Sequence, residues 1–518
     1  LKRLGRAVIR EYLGELRFAR PELPDKKTQI NATTRQKSCW QPLPGDFEKN
    51  NPGARMWYNK TEMSEDCLYL NVWTPANRKA PELLPVMVWI FGGGFYSGSA
   101  NLDVYDGKIL PGKEKVVVVS MQYRVGPLGF LCLEEGKHRN PPLAACNMGL
   151  MDQQMALKWV HENIKAFGGN KSQVTLFGES AGSASVSLQY LSRESRKYFQ
   201  QMIMQSASVY NRWAFISKSE AYERSDAGTL EQRLKCLQGL SAKNITDTYY
   251  AVYYAREKRR AKLLHELRPR VKTNTTNAAI YASFEFAPTL DDMFLPKCPD
   301  ELLNETIEQP PKLLIGTMAN EGMYWLLYGL SADYGGLNST QFLKTDGKVD
   351  LPKKRTLKAA IPDVNAIYNL LIAKFISEQN FNKKIIDEIR SNLATVYDFL
   401  PKFKIDNSIN RWMKFPVTWN SHVERKKIAN RIAQLPGSEV YSYVFVHKTE
   451  DNRFPNWTGA MHGYEIDYVF GMPFSEKFKN FYTYAPQEVK LSETIMKYWA
   501  NFAKTGNPTP DGSDTSRV

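Results

Sequence analysis

The feature that most constrains this chain is an apolar run, 174–177, that leads directly into Gly178-Glu-Ser180-Ala-Gly182 and then into small residues suited to a helix. This order of strand, sharp turn and helix is typical of a nucleophile elbow. Glycines are required at both ends of the motif because the turn brings backbone segments too close for a Cβ atom. The pattern therefore predicts an exposed Ser180 hydroxyl at the N-terminus of a helix.

A short Gly/Ser-rich turn without any function is the alternative for a bare Gly-x-Ser-x-Gly pattern. The strand pattern before the motif and the helix pattern after it favour the elbow.

Apolar runs alternate with helical patterns elsewhere in the chain. Residues 84–91 and 116–123 form continuous apolar runs, typical of strands that are covered on both faces, and 312–317 and 440–446 are also predicted to be strands. Residues 151–167 have helical periodicity instead. The alternation predicts an α/β protein with a large, mostly parallel central sheet and helices on both faces.

The domain organisation follows from length and from the absence of a low-complexity linker. We predict a single domain over residues 1–518, with the polar helical stretches 221–277 and 340–410 as insertions over the sheet. Residues 1–10 lack the apolar core of a signal peptide, which indicates a truncated N-terminus. No anchoring or oligomerising tail follows Gly506 in this sequence, and a homodimer is compatible with this interpretation.

The net charge of +15 raises nucleic acids and anionic membranes as partners. However, the basic clusters at 256–260, 353–355 and 425–427 are scattered, and none is interleaved with aromatic residues. They indicate solvated helix faces, so no nucleic-acid partner is expected. No apolar run is long enough to span a bilayer.

Sequons and cysteines indicate a secreted or cell-surface glycoprotein. Six cysteines permit fifteen pairings, so the sequence does not give their connectivity. Cys39 and Cys67 bracket a short loop that suits a disulfide in an oxidising compartment. Cys132 is interpreted as a small buried hydrophobic residue, and pairing among Cys132, Cys146, Cys236 and Cys298 stays open. Eight N-x-S/T sequons occur, at Asn31, Asn59, Asn170, Asn244, Asn274, Asn304, Asn338 and Asn456.

A nucleophilic serine requires a base and a group that orients the base. In this architecture the chain order is serine, acid, histidine. His265 and His422 lie in basic helical stretches and are predicted to be surface residues. His462 lies in a loop after a late strand, and Glu321 follows an earlier one, where catalytic groups collect. The predicted triad is Ser180, Glu321 and His462.

The glycine run at 92–94 follows a predicted strand and suits an oxyanion hole. Backbone amides there can approach a reacting carbonyl because no side chain obstructs them. We predict that the amides of Gly93 and Gly94 act together with the amide of Ala181. A flexible turn is the alternative. This chemistry needs no metal and no cofactor.

Four segments resemble the carboxylesterase type-B family, and within it the cholinesterases. They are Ser64-Glu-Asp-Cys67-Leu-Tyr-Leu-Asn71, Val86-Met-Val-Trp-Ile-Phe-Gly-Gly-Gly-Phe95, Phe177-Gly-Glu-Ser-Ala-Gly182 and Met461-His-Gly-Tyr-Glu465. The likeness runs from about residue 15 to the end of the chain. It implies an α/β-hydrolase fold, the same triad, and a disulfide between Cys39 and Cys67.

The resemblance also implies hydrolysis of esters that carry a quaternary ammonium group, which aromatic faces bind well. Trp57 stands where the family places its choline-binding tryptophan, Tyr324 matches an aromatic wall, and Glu179 matches an anionic residue. Core packing is the alternative for any single aromatic residue, but Trp57 lies in a polar loop with little to pack it. Further residues resemble gorge-lining aromatics: Tyr96, Tyr105 and Trp213.

Several departures from the family pattern limit the resemblance. The N-terminal hairpin of relatives is absent, and Cys236 matches only one half of a second disulfide. No tryptophan near Thr273 matches the outer rim of the gorge, which puts a peripheral cation site in doubt. A broad carboxylesterase acting on neutral esters is therefore an alternative, and a non-catalytic adhesion protein is a second one.

The acyl pocket is predicted to be roomier than in a strict acetyl-ester hydrolase. In the family, two aromatic residues before a proline usually limit the size of the acyl pocket. Counting back from Pro288, these positions are Ala282 and Phe284, so one aromatic residue is missing. The large side chain of Trp325 is expected to fill part of the space that Ala282 leaves. One buried methylene contributes about 0.8 kcal/mol, so propionyl- and butyrylthiocholine should turn over within about tenfold of acetylthiocholine. Ala282→Phe should narrow the preference toward acetyl. Rejection of butyrylthiocholine by the wild-type protein would contradict this assignment.

Overall fold

Strands and helices alternate in the computed structural model, which describes residues 2–7, 17–23, 32, 34–42, 53–76, 81–132, 146–211, 213–217, 221, 230–249, 286–291, 293–305, 310–322, 324, 419–452, 454, 458–510 and 512. The strands are β1 (Lys2–Ala7), β2 (Ser38–Cys39), β3 (Met63–Ser64), β4 (Tyr69–Thr74), β5 (Leu84–Ile90), β6 (Val117–Met121), β7 (Gly169–Glu179), β8 (Gln201–Gln205), β9 (Lys312–Met318) and β10 (Glu439–Phe445). The helices are α1 (Ile109–Glu114), α2 (Gly126–Phe130), α3 (Met148–Asn163), α4 (Ala181–Leu191), α5 (Arg193–Arg196), α6 (Leu230–Gly239), α7 (Pro299–Asn304), α8 (Trp419–Ala433), α9 (Ile466–Val469) and α10 (Pro486–Thr505).

Eight of these strands form one sheet in the order β1-β4-β6-β5-β7-β8-β9-β10. Neighbouring strands are parallel from β6 to β10, whereas β4 pairs antiparallel with both β1 and β6. Every residue of β5, β6 and β8 is buried, because layers of structure cover both faces of the central sheet. This arrangement confirms the predicted α/β-hydrolase fold.

The predicted elements agree with the structure except at their ends and at the N-terminus. The helical pattern 151–167 is observed as α3, which begins at Met148, followed by a 3-10 turn, Ile164–Phe167. The strand β1, which pairs with β4, was not predicted. Of the two predicted helical insertions, 340–410 lies outside the described residues, and part of 221–277 is observed as α6.

The connection from β7 to α4 depends on very close packing against β5. A Cβ atom on Gly182 would lie 2.0 Å from the carbonyl oxygen of Ile90, the last residue of β5. Real Cβ atoms essentially never approach that closely, so only glycine fits this position. The close approach fixes the first turn of α4 directly above the carboxyl end of β5.

The cysteines form one predicted disulfide and one that was not predicted. Cys39 and Cys67 are paired, as the resemblance implied. Cys132 is buried, as predicted, and its pairing, which the sequence left open, is a disulfide with Cys146. The end of α2 and the start of α3 bring these two Cα atoms to 4.2 Å, a proximity that sequence spacing does not reveal. Cys236 and Cys298 are not in disulfides.

The surface features of the described helices agree with the interpretation of scattered charge. Lys426 and Lys427 of α8 are exposed, while the clusters 256–260 and 353–355 lie outside the described residues. Among the described helices, none combines the length and apolarity needed to cross a membrane.

Candidate active site

Ser180 occupies the tight turn between β7 and α4. Its φ of 56° and ψ of −124° are unusual for a residue with a Cβ atom and mark a strained backbone. Two hydrogen bonds hold the turn: the Ser180 amide donates to Gln205 O, and the Ala184 amide donates to Ser180 O, each at 2.9 Å. The backbone of Ser180 is therefore held at the N-terminus of α4, as an elbow requires, but the residue is only 6% exposed and so more buried than predicted.

The glycine run after β5 lies against this turn. A Cβ atom on Gly92 would lie 2.9 Å from the Ser180 Cβ atom, and one on Gly93 would lie 2.3 Å from Ser97 O. Gly93 and Gly94 also adopt positive φ angles of 115° and 61°. The backbone consequently approaches the serine more closely than any other residue type allows. The glycine run therefore lies beside Ser180, and an oxyanion hole formed by its amides and the first amide of α4 stays a prediction.

Glu321 and His462 form a buried hydrogen-bonded pair. The His462 Nδ1–H group donates to Glu321 Oε2 at 2.6 Å, and the Met318 amide donates to the other carboxylate oxygen at 2.9 Å. Glu321 is completely buried and His462 is 7% exposed. The carboxylate therefore fixes both the tautomer and the orientation of the imidazole ring.

Backbone contacts between two loops hold this pair together. The Ala319 amide donates to Phe445 O at the end of β10, and the Asn320 amide donates to Ala460 O. In return, the Ala460 amide donates to Asn320 Oδ1 at 3.2 Å. The loop that carries Glu321 and the loop that carries His462 are thus joined on both sides of the candidate site.

Glu179, the neighbour of Ser180, contacts the opposite side of the imidazole. Its Oε1 atom lies 3.0 Å from His462 Nε2, and both side chains are nearly buried. Burial by itself lowers the pKa of His462, but the negative charges of Glu179 and Glu321 raise it well above its usual value. The two carboxylates therefore stabilise the imidazolium that forms when His462 takes a proton.

A third buried acid near the site was not identified from the sequence. Glu465 Oε1 accepts a hydrogen bond from Gln205 Nε2 at 3.0 Å, and Gln205 Oε1 accepts one from Trp499 Nε1 at 3.1 Å. Burial, followed by the charge of Glu179, raises the pKa of Glu465 to about 8. These hydrogen bonds connect α10 to Glu465. In the sequence, only the family-like motif that ends at Glu465 indicated that this residue is important.

The structure brings Trp57, Glu179 and Tyr324 together around His462. A Cβ atom on Gly463 would lie 3.0 Å from the Trp57 ring and 3.5 Å from Glu179 Oε1. The Tyr324 ring lies 5.6 Å from the His462 ring in an edge-on geometry. These aromatic rings and this carboxylate could surround a small organic cation.

The expectation that little packs Trp57 is wrong. The residue ends a single 3-10 turn, Arg55–Trp57, and its half-buried ring packs edge-on against Tyr464 at 6.0 Å. The contact holds the indole in place beside Gly463. A turn of only three residues has no periodicity by which the sequence could reveal it.

The three other aromatic residues that were predicted to line the gorge differ in how deeply they are buried. Tyr105 is 2% exposed and packs in the core against Trp89 at 5.1 Å, while Tyr96 is half-buried. Trp213 is also half-buried, 6.3 Å from the Phe95 ring. The acyl-pocket candidates lie outside the described residues: Ala282, Phe284 and Trp325.

A strained elbow serine, a glycine turn and a histidine oriented by an acid, all on this sheet, are features of a serine hydrolase. The chain belongs to the carboxylesterase family, whose family model matches residues 12–517. It is thus a serine carboxylic ester hydrolase by family, with small esters as the substrate class.

Similar proteins include three acetylcholinesterases, each 36% identical to this chain. Those of Electrophorus electricus and Danio rerio align over 99% of this chain and 78% of their own length. That of Bungarus fasciatus aligns over 99% of this chain and 76% of its own length. The likeness therefore extends over almost the whole chain.

The contact between Glu179 and His462 predicts a change in pH dependence. Glu179→Gln removes a negative charge 3.0 Å from Nε2 and should lower the pKa of His462. Because a histidine base is inactive when protonated, kcat/KM for an ester falls as the pH drops through this pKa. The variant should therefore retain its activity to lower pH than the wild type.

A matched control is Glu493→Gln, which removes an exposed carboxylate that contacts Lys113. Its pH profile should match that of the wild type. An acid limb that stays in place or moves to higher pH in Glu179→Gln would contradict the proposed electrostatics.

Proposed function

We propose that this protein hydrolyses choline esters through an acyl-enzyme intermediate on Ser180. The observation that carries the proposal is the position of His462 between Glu321 and Glu179, with Trp57 and Tyr324 beside it. His462 and Glu321 suit acyl transfer. Glu179, Trp57 and Tyr324 suit a cationic leaving group.

In the proposed acylation step, Ser180 Oγ attacks the ester carbonyl carbon while His462 Nε2 takes the hydroxyl proton. Glu321 stabilises the resulting imidazolium through its hydrogen bond to Nδ1. The carbonyl oxygen becomes an oxyanion, which the amides of Gly93, Gly94 and Ala181 stabilise. Collapse of the tetrahedral intermediate breaks the ester bond, and His462 returns the proton to the departing alcohol, choline.

Deacylation repeats these steps with water as the nucleophile. His462 takes a proton from water, the hydroxyl oxygen attacks the acyl carbon, and the second tetrahedral intermediate expels Ser180. The serine oxygen regains its proton from the imidazolium, and a carboxylic acid is released. Protein side chains and backbone amides supply all of this chemistry, so the proposed reaction requires no metal and no cofactor.

Charge and shape support a quaternary ammonium substrate over a neutral ester. The Trp57 ring offers an aromatic face beside the site, and the carboxylate of Glu179 adds negative charge at the same place. A desolvated cation–π contact contributes about 2 kcal/mol, whereas a neutral isostere of equal size gains only from burial. The similarity to acetylcholinesterases supports the same assignment.

An extracellular location, with secretion and glycosylation of the chain, best fits the disulfides and the sequons. Two disulfides form in the described part of the chain, as is usual in oxidising compartments. The sequon asparagine Asn244 is exposed, so a glycan can be attached there without disturbing packing. We therefore include an extracellular location in the proposal.

The cation site is tested by Trp57→Ala. Loss of the aromatic face should weaken kcat/KM for acetylthiocholine by roughly thirtyfold, which corresponds to about 2 kcal/mol. The uncharged isostere 3,3-dimethylbutyl thioacetate should lose much less. Steady-state kinetics with the two substrates measures the difference.

Tyr58→Ala is the matched control, because Tyr58 is the adjacent half-buried aromatic residue and is not part of the proposed site. It should affect both substrates little. Equal losses for both substrates in Trp57→Ala would mean that the tryptophan only packs, and would favour the alternative of a broad carboxylesterase.

A further inference from the structure

A cavity of about 450 Å³ lies outside the candidate active site. Its volume is in the range of small-molecule pockets. None of its lining residues belongs to the proposed catalytic or cation site, although it shares the 3-10 turn Arg55–Trp57 with that site. The lining residues are Arg55, Tyr58, Lys60, Asp103, Lys477, Asn480 and Phe481.

One buried carboxylate organises the cations of this pocket. Asp103 Oδ1 accepts hydrogen bonds from Arg35 at 2.7 Å and from Lys477 at 2.5 Å, while Oδ2 accepts one from Lys60 at 3.0 Å. Burial by itself raises the pKa of Asp103, but the hydrogen bonds from Lys477, Lys60 and Arg35 hold it well below its usual range. The carboxylate therefore stays ionised and keeps the three cations in place.

Positive charge exceeds negative charge around the cavity. The two lysine side chains, Lys60 and Lys477, are 55% and 57% exposed, so their ammonium groups remain accessible to a ligand. Each ammonium has three N–H donors and a single carboxylate contact here. Among the described residues of this ion-pair cluster, three cations stand against two acids, which leaves a net charge of +1: Arg35, Lys60 and Lys477 against Asp103 and Asp106.

Aromatic and amide groups complete the pocket wall. Tyr58 and Phe481 contribute rings, and the Lys60 ammonium lies 4.9 Å from the centroid of the Phe481 ring. Aromatic ligands pack well against such rings. The Asn480 amide can donate a hydrogen bond to a ligand oxygen.

We propose that this pocket binds a small organic anion composed of an aromatic ring and a sulfonate or carboxylate group. The anionic group contacts Lys60 and Lys477, and the ring packs against Tyr58 and Phe481. The excess positive charge excludes the quaternary ammonium compounds that the neighbouring site is proposed to bind.

Isothermal titration calorimetry with naphthalene-2-sulfonate tests the proposal on the whole chain, without any reaction. Lys60→Gln/Lys477→Gln removes both ammonium groups and should weaken binding about tenfold, since an exposed ion pair contributes up to about 1 kcal/mol. The matched control, Lys197→Gln/Lys243→Gln, removes the same charge from two exposed ion pairs outside the pocket lining and should bind as the wild type does. The uncharged 2-naphthol should bind more weakly than the sulfonate to the wild type.

Three results would overturn the proposal: no binding of the sulfonate to the wild type, equal affinity in both double variants, or tighter binding of 2-naphthol. Thermal unfolding of each variant confirms that it is folded. If the double variant does not fold, the single variant Lys477→Gln takes its place, with a proportionally smaller loss expected. Because no substrate is present, a negative result leaves the proposed esterase function untouched.

Discussion

The interaction on which the rest of the site depends is the placement of one imidazole ring between two buried carboxylates. Glu321 accepts a hydrogen bond from Nδ1 of His462, and Glu179 lies against Nε2 on the other side. Two like charges this close to each other are costly in a buried site unless a cation separates them. Protonated His462 is that cation, so the two carboxylates stabilise the imidazolium and raise the pKa of the histidine.

The fold supplies this arrangement through the carboxyl ends of three strands of the sheet, of which β9 and β10 are neighbours and β7 is separated from β9 by β8. Glu179 ends β7, the loop after β9 carries Glu321, and the longer loop after β10 carries His462. Since the carboxyl ends of parallel strands lie at one edge of a sheet, residues 141 positions apart in the chain come into direct contact. The close contact between Gly182 and Ile90 constrains the backbone of the turn, and this constraint keeps Ser180 in its strained conformation.

The sequence predicts those parts of the site that have a local pattern. The strand and helix around Ser180 and the glycines after β5 can be recognised within a few residues, and chain order then selects Glu321 and His462. Pairing of Cys132 with Cys146 and the hydrogen bond from Trp499 to Gln205 cannot be recognised this way. They depend on distances that only the packed structure defines.

The most direct test of the central claim is the effect of Ser180→Ala on acetylthiocholine turnover and on covalent labelling by an organophosphate. The account predicts that turnover falls by several orders of magnitude and that labelling disappears, while thermal unfolding shows an intact fold. If the variant retained more than a few per cent of the wild-type rate, or were still labelled, Ser180 would not be the nucleophile.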